Sequence, residues 1–298
     1  MWQRSGRLIA ILWGLNLFLP LAGCGKQTYE LQATYKAGDV LREELRFSMP
    51  KGRILLSVQD NATEGKVASE THQVRETHIL AVDRRGQATK LTVCHVIDQT
   101  AMTVEGPDGK LQESTEPGIL QAETVVFERV DGQWQKRLFG KEPTPAQAKE
   151  LAEYADPLDE TSLPTDPVTI GESWTVQGAA LQRALGAGIH HPSGSMTCQL
   201  ESVSKRDGEP CAVIRSHLMA TGTMLDEAGS ETRISVSAHL TTHRSLVSFC
   251  DQTNGEGVMK LEEDVVEVGT TVRTTISGPI TLVQNQQKLQ EPQPADHQ

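Results

Sequence analysis

The chain has 298 residues, enough for one large domain or two modest ones, and its net charge is −11. An acidic surface repels nucleic acid and anionic lipid headgroups, so the composition argues against a nucleic-acid partner and against membrane binding through a basic patch. Aromatic residues make up 4% of the chain, and its apolar content lies mostly in Val, Leu, Ile and Ala, which favours water-exposed β-structure.

Residues 1–23 have the pattern of a cleaved signal peptide. Arg4 and Arg7 give a basic start, and Leu8–Leu19 is almost wholly apolar. An apolar run of about a dozen residues is well short of the ~20 that a membrane-spanning helix needs. A short apolar run behind a basic start is typical of secretory signal peptides, so we predict that this segment is removed on export.

The signal segment ends in Leu21-Ala22-Gly23-Cys24, which resembles the lipobox of bacterial lipoproteins. The resemblance implies cleavage between Gly23 and Cys24 and a lipid on Cys24, so that the membrane is a partner through this lipid. Two or more acyl chains hold a protein stably on a bilayer. The residue after Cys24 is Gly25 and not aspartate, which by the same resemblance favours the outer membrane over the inner one. The expected location is the cell envelope, facing the periplasm or the exterior.

Turn signals recur along the rest of the chain, and several of them predict β-hairpins. They are Asp83-Arg84-Arg85-Gly86, Asp108-Gly109, Asp131-Gly132, Asp207-Gly208 and Asn254-Gly255. Asp-Gly and Asn-Gly pairs tolerate the positive φ angles of tight hairpin turns. A two-residue loop at Asp131-Gly132 pairs Arg129 with Trp134, Phe127 with Lys136 and Val125 with Leu138, which sorts apolar residues onto one face of the hairpin.

One helix is predicted near the middle of the chain. Thr144 is a candidate N-cap, Pro145 occupies the first helical position, and Gln147 follows three residues after the cap. Pro157 ends this helix, and an acidic, proline-rich linker runs to Pro167. A second, short helix over Ala179–Leu185 is also compatible with the sequence, followed by a loop through His190-His191-Pro192.

The pattern divides the chain into two similar parts. Gly38-Asp39 and Gly171-Glu172 each stand before a predicted strand. We predict a mainly β fold, with antiparallel hairpins in two similar sheets or a curved, partly closed barrel, and one short central helix. The divisions are a signal peptide at 1–23, a lipidated tether at 24–30, a first β half at 31–143, the helix and linker at 144–167, a second β half at 168–285 and a disordered tail at 286–298. In this organisation the chain resembles uncharacterised β-rich bacterial lipoproteins, which implies no particular activity.

Four further cysteines, Cys94, Cys198, Cys211 and Cys250, are expected to be free thiols. A two-residue turn at Asp207-Gly208 places Cys211 opposite Ser204 and Cys198 opposite His217, with the two cysteines about 20 Å apart, too far for a disulfide. On this register Met219 lies on the same face as Cys198 and His217. The face also holds Met196, Leu200 and Val213, so it is expected to be a core face and not a catalytic cleft.

No motif in the sequence predicts a catalytic residue, a metal site or a cofactor. His190-His191 lacks further ligands, and His239 and His243 lie about 13 Å apart on a predicted strand. Ser202-Val203-Ser204-Lys205 lacks the accompanying motifs of serine hydrolases, and Gly186-Ala187-Gly188 lacks the continuation of a phosphate-binding loop. Glu262-Glu263-Asp264 lacks calcium-ligand spacing and is expected on an exposed strand.

Three hypotheses for function remain open at this point. The first is a non-enzymatic interaction or structural module of the cell envelope, anchored through Cys24, with an envelope protein as partner. The first alternative is a barrel-like binding protein for a lipid or another apolar ligand. The second alternative is a hydrolase with a non-standard site. An apolar cavity of a few hundred Å³ would favour the binding protein for an apolar ligand.

Overall fold

The computed structural model describes residues 26–59, 61–185, 188–225, 230–267 and 270–289, which form fourteen strands and two helices. The predicted cleavage after Gly23 and lipidation of Cys24 lie outside these residues, as does Gly186-Ala187. The elements are β1 (Thr28–Tyr29), β2 (Val40–Val58), β3 (Asn61–Val82), β4 (Ala88–Glu105), β5 (Leu111–Pro117), β6 (Thr124–Val130), β7 (Gln133–Leu138), α1 (Pro145–Glu153), β8 (Val168–Thr169), β9 (Ser173–Val176), α2 (Gly178–Leu185), β10 (His190–Arg206), β11 (Glu209–Leu225), β12 (Glu231–Ser245), β13 (Asp251–Glu267) and β14 (Thr270–Leu289).

Twelve of the strands form one antiparallel sheet. Its order is β7-β6-β4-β3-β2-β14-β13-β12-β11-β10-β9, with β5 paired to β4, while β1 and β8 form a separate two-stranded sheet. The prediction of a mainly β, antiparallel fold is confirmed. The two predicted halves nevertheless share a single sheet, because β2 pairs with β14 from Val40 opposite Leu289 to Val58 opposite Val272. The sheet ends at β7 and β9, so it is open.

Local turn chemistry accounts for the hairpin predicted at Asp131-Gly132. Asp131 and Gly132 have φ angles of 51° and 80°, as a mirror-image two-residue turn requires. The pairs Arg129–Trp134, Phe127–Lys136 and Val125–Leu138 are all present between β6 and β7. This register is confirmed because the turn and the apolar alternation both specify it.

Two predicted loops are wrong. Asn254-Gly255 lies inside β13, not in a turn, and the connection from β12 to β13 falls at residues 246–250. Gly255 serves close packing instead, because a Cβ there would lie 2.3 Å from Leu240 Cδ2. His190-His191-Pro192 begins β10, where His190 pairs with Thr223 and a register shift accommodates the next residues.

Both helices agree with the sequence pattern. The Thr144 hydroxyl accepts a hydrogen bond from the Gln147 amide, and the Gln147 side chain accepts one from the Thr144 amide, so the predicted capping box closes the start of α1. The short helix α2 is present as well, one residue longer than predicted. The predicted central helix is therefore confirmed as α1, and α2 is a second helix beside it.

The helices cover one face of the large sheet, which we call the inner face; the opposite side is the outer face. Leu151 of α1 packs against Leu91, Val125 and Phe127 at one end of the sheet. Leu181 of α2 packs against Met196 and Leu200 at the other end. A third cluster, Met49, Val67 and Ile280, lies in the middle. Burial of these side chains supplies the main stabilising term for the fold.

The ends of the described chain are more ordered than the sequence pattern suggests. Thr28 and Tyr29 of the predicted 24–30 tether form β1 against β8, and Leu31 is buried. Residues 286–289 of the predicted tail complete β14 through pairing with β2. In the part of the chain that the structure describes, neither helix is long and apolar enough to cross a membrane.

Candidate ligand-binding site

A groove with a volume of about 840 Å³ crosses the outer face between β10 and β2. Two rows of directly opposed residues form it. The apolar row is Met219, Ser237, Val258 and Pro279, and the basic row is Thr221, Ser235, Lys260, Ser277 and Arg53. The rows are neighbours on the same face, since their members lie two positions apart along each strand. We call this site the outer groove.

A bulge in β2 lies at the level of the groove and shifts the register of β2 against both of its neighbours, β3 and β14. The register of β2 against β3 shifts between Met49 and Gly52, and that of β14 against β2 shifts between Ser277 and Thr281. The two backbones approach closely there, because a Cβ on Gly278 would lie 2.7 Å from the Gly52 Cα. Bulges bend a strand and raise its local twist, so these positions shape the floor of the outer groove.

The apolar row is open to solvent. Met219 is 57% exposed and Val258 is 58% exposed, and both sit in the middle of long, regular strands. Single exposed apolar residues are ordinary on protein surfaces. Here the two side chains and Pro279 share one row of one concavity, so they are not scattered singly over the surface.

The charge of the outer groove is opposite to that of the whole chain. Lys51, Arg53 and Lys260 contribute to its lining, and none of the described residues that line it is acidic. Arg53 lies 2.7 Å from Glu64, and Lys260 lies 2.8 Å from Glu262. Lys51 is exposed and has no ion pair with any described residue. The groove thus joins an apolar row to a basic edge.

Two further cavities, of about 340 and 630 Å³, lie between the inner face and segment 154–163. Their charged groups are largely paired within the protein: Arg75 lies 3.0 Å from Glu43, and Arg244 lies 2.8 Å from Asp251. His95 lines the larger cavity. Its burial lowers its pKa to about 4, so the ring is neutral near pH 7. The same two arginines also tie the covering segment to the sheet, because Arg244 pairs with Glu160 and Arg75 donates to the Tyr154 hydroxyl.

Cys198 does not face His217 as predicted. A bulge between Leu200 and Ser202 shifts the register by one residue, so Cys198 pairs with Ser216, and His217 moves to the outer face. The Ser216 hydroxyl donates to Cys198 Sγ at 3.2 Å, and burial raises the pKa of this thiol. The predicted pairing of Cys211 with Ser204 is confirmed, and Cys94, Cys198, Cys211 and Cys250 are all free.

The other candidate residues from the sequence, the histidines and the acidic run, do not come together in one site. His239 stacks on His217, with ring centroids 4.3 Å apart, while His243 lies farther along β12. Asp264 of the acidic run is paired with Arg273 at 2.7 Å. Within the described ranges, no group of three or more His, Cys, Asp or Glu side chains is arranged to hold a metal ion.

Sequence reasoning missed the residues of the outer groove. It placed Met219 on a core face because the bulge after Leu200 leaves no mark in the sequence. Val258 and Pro279 lie on strands far apart in the chain, and only the assembled sheet brings them into one row with Met219. No sequence signal marks the site, because each strand supplies only two or three of its residues and the outward positions of β13 hold acids as well as Lys260.

Comparisons with known proteins identify no family. No family model matches the chain, and no curated protein matches its sequence. Among solved structures, a lipovitellin determined in work on lipid–protein interactions is similar over 88% of this chain, with 12% identity and a TM-score of 0.40, and the chain spans 26% of its length. A DUF1329 family protein from Desulfovibrio piger is similar over 85% of this chain and 88% of its own, with 7% identity and a TM-score of 0.14. Scores of this size carry no argument about function.

Proposed function

We propose that this chain is a non-enzymatic binding protein that holds the acyl chain of a lipid in the outer groove. The observation that supports it is the exposed apolar row, in which Met219 and Val258 lie on either side of Ser237 in a concavity of about 840 Å³. This volume lies within the range of small-molecule sites. Each methylene removed from water contributes roughly 0.8 kcal/mol, so an acyl chain lying along the row gains affinity with every carbon it buries.

Binding without chemistry fits the side chains that line the outer groove. Its hydroxyl groups come from Ser193, Thr221, Ser235, Ser237 and Ser277, and the described lining includes no His, Asp or Glu that could serve as a general base. A hydroxyl without such a base is a weak nucleophile. We therefore favour a carrier or sensor of lipid over a hydrolase.

Exchanging Met219 for glutamate tests the proposal. The carboxylate would have to be desolvated beside the acyl chain, so we expect binding of a fluorescent fatty acid to weaken by about tenfold or more. Met102→Glu is the matched control, because Met102 is 41% exposed but lies outside the groove. Fluorescence titration of the chain from Gly25 onward, which contains every described residue, measures both. Equal affinities for wild type and both variants would rule out the outer groove as the acyl site.

We further infer that the protein works at a membrane, anchored by lipid on Cys24 and facing the periplasm or the exterior, with the outer membrane favoured. The position of β1 is compatible with this anchor. Thr28, the first residue of β1, is four residues after Cys24, which limits the tether to about 14 Å of extended chain. A tether of this length holds the folded body next to the bilayer surface, where lipids are available to it.

A Cys24→Ser exchange tests the anchor. Without the thiol, no thioether can form, so we expect an uncleaved precursor that is not labelled by radioactive palmitate. Cys94→Ser is the control, since Cys94 is a free thiol within β4 and should leave maturation and labelling unchanged. Gel mobility, labelling and membrane fractionation report the outcome. Normal labelling and maturation of the Cys24→Ser protein would exclude a lipoprotein anchor at this residue.

A further inference from the structure

We propose that the lipid in the outer groove has a single acyl chain and an anionic head, and that Lys51 binds this head. The inference rests on the proposed function, because it specifies the ligand of the same site. It is carried by the contrast between a chain of net charge −11 and a groove with three cationic side chains and no acidic one among its described lining residues. In an acidic protein, a local basic edge beside an apolar row matches the two parts of an anionic amphiphile.

The width of the apolar row limits the ligand to one acyl chain. On one side of the row lies the basic row, about 7 Å away, because members of the two rows are two residues apart along a strand. On the other side lies a polar row that contains His217, His239 and Glu256. A second acyl chain would therefore rest on polar side chains, whereas one chain can run across the strands on Met219, Val258 and Pro279.

The charges on the two sides of the apolar row set the direction of the head. Glu256 is exposed on the side of the histidines, and its carboxylate would repel an anion. Lys260, Ser277 and Arg53 are directly opposed on the other side and offer positive charge and a hydroxyl donor. The head therefore points toward the basic row.

Lys51 lies two positions before Arg53 on β2, next to the basic row, and it is the cation of the groove that is available for a ligand. The other two cations have acidic partners outside the groove, Glu64 for Arg53 and Glu262 for Lys260. Lys51 has no such partner among the described residues, and it belongs to the bulge of β2 that faces Gly278. An anionic head can pair with the Lys51 ammonium without displacing an existing ion pair.

Three single-chain ligands test the assignment by isothermal titration: dodecanoate and dodecyl phosphate below their micelle concentrations, and dodecanol below its solubility limit. We expect both anions to bind more tightly than dodecanol to the chain from Gly25 onward. Lys51→Glu should weaken binding of the anions by about fivefold, the size expected of an exposed ion pair, and should leave dodecanol unchanged. Lys51→Met should give a smaller loss in the same direction. The anion that binds more tightly indicates whether the natural head is a carboxylate or a phosphate.

Lys66→Glu is the matched control. Lys66 pairs with Arg53 across β2 and β3, so it lies in the same row and on the same face, one strand beyond the groove lining. We expect it to leave all three affinities within twofold. If dodecanol binds as tightly as the anions and Lys51→Glu changes nothing, the assignment of the head is wrong while the acyl site stands. If none of the three ligands binds, the proposed function itself is wrong.

Discussion

Replacing Arg244 with methionine is expected to lower the free energy of unfolding by about 3–5 kcal/mol. The Arg244 side chain is 3% exposed. Its guanidinium donates to the Leu31 carbonyl at 2.6 Å and to Asp251 Oδ2 at 2.8 Å, and it is also paired with Glu160. Methionine fills the volume but leaves two carboxylates and a carbonyl without their donor. Removing one partner of a buried ion pair costs much more than the pair contributes in net terms.

Urea denaturation measures the effect, with Arg273→Met as the control. Arg273 also pairs with an aspartate, Asp264 at 2.7 Å, but its side chain is 55% exposed. Solvent screens an exposed pair, so the control should unfold at nearly the wild-type urea concentration. A loss for Arg244→Met as small as that for Arg273→Met would show that the buried network does not hold the fold together.

The reason for the large effect is that Arg244 joins three distant parts of the chain. Leu31 belongs to the N-terminal segment, Glu160 to the segment that covers the inner face, and Asp251 to β13. Glu160 makes a further link, since its carboxylate accepts a hydrogen bond from the Ala33 amide at 2.6 Å. The network therefore holds both the N-terminal segment with Leu31 and the segment that covers the inner face to the same part of the sheet.

The short-range features of this fold could be predicted from the sequence, whereas the outer groove, which combines residues far apart in the chain, could not. The Asp131-Gly132 hairpin and the Thr144 cap depend on residues within a few positions of one another, and both are confirmed. The pairing of β2 with β14 joins residues more than 200 positions apart, for which turn chemistry and periodicity provide no signal. The sequence therefore left two similar sheets or one curved, partly closed barrel open, and the pairing of β2 with β14 decides for a single sheet.

A single inserted residue explains why the candidate site was missed. The Asp207-Gly208 turn correctly pairs Ser204 with Cys211, and the register holds as far as Ser202. Beyond the bulge at Glu201, each residue of β10 pairs with a residue of β11 one position away from the predicted one. Met219 therefore lies on the opposite face from Cys198, outside the expected core, and lines the outer groove. Because side chains alternate between the two faces of a sheet, an error of one residue in the predicted pairing puts all the following residues on the wrong face.

Gly278→Ala is expected to lower both the free energy of unfolding and the affinity of the outer groove for its ligand. A Cβ at this position would lie 2.7 Å from the Gly52 Cα and 3.0 Å from the Lys51 carbonyl oxygen. Both are backbone atoms of the β2 bulge, so the strands must separate to admit a methyl group. Overpacking of this kind costs about 1–3 kcal/mol. The movement also displaces Lys51 and Pro279, so the affinity for dodecanoate should fall more than for Lys51→Glu.

The control is Gly188→Ala, because a Cβ on Gly188 would have no atom within 4 Å. Its free energy of unfolding should stay within about 0.5 kcal/mol of wild type. The new methyl of Gly278→Ala would point toward Met49 and Gly52 and away from the apolar row, so it cannot touch a ligand directly. A loss of affinity in a protein that remains folded must then come from the backbone. Wild-type affinity and stability together would show that the contact of Gly278 with the β2 bulge does not shape the groove, and that its curvature comes from the twist of the whole sheet.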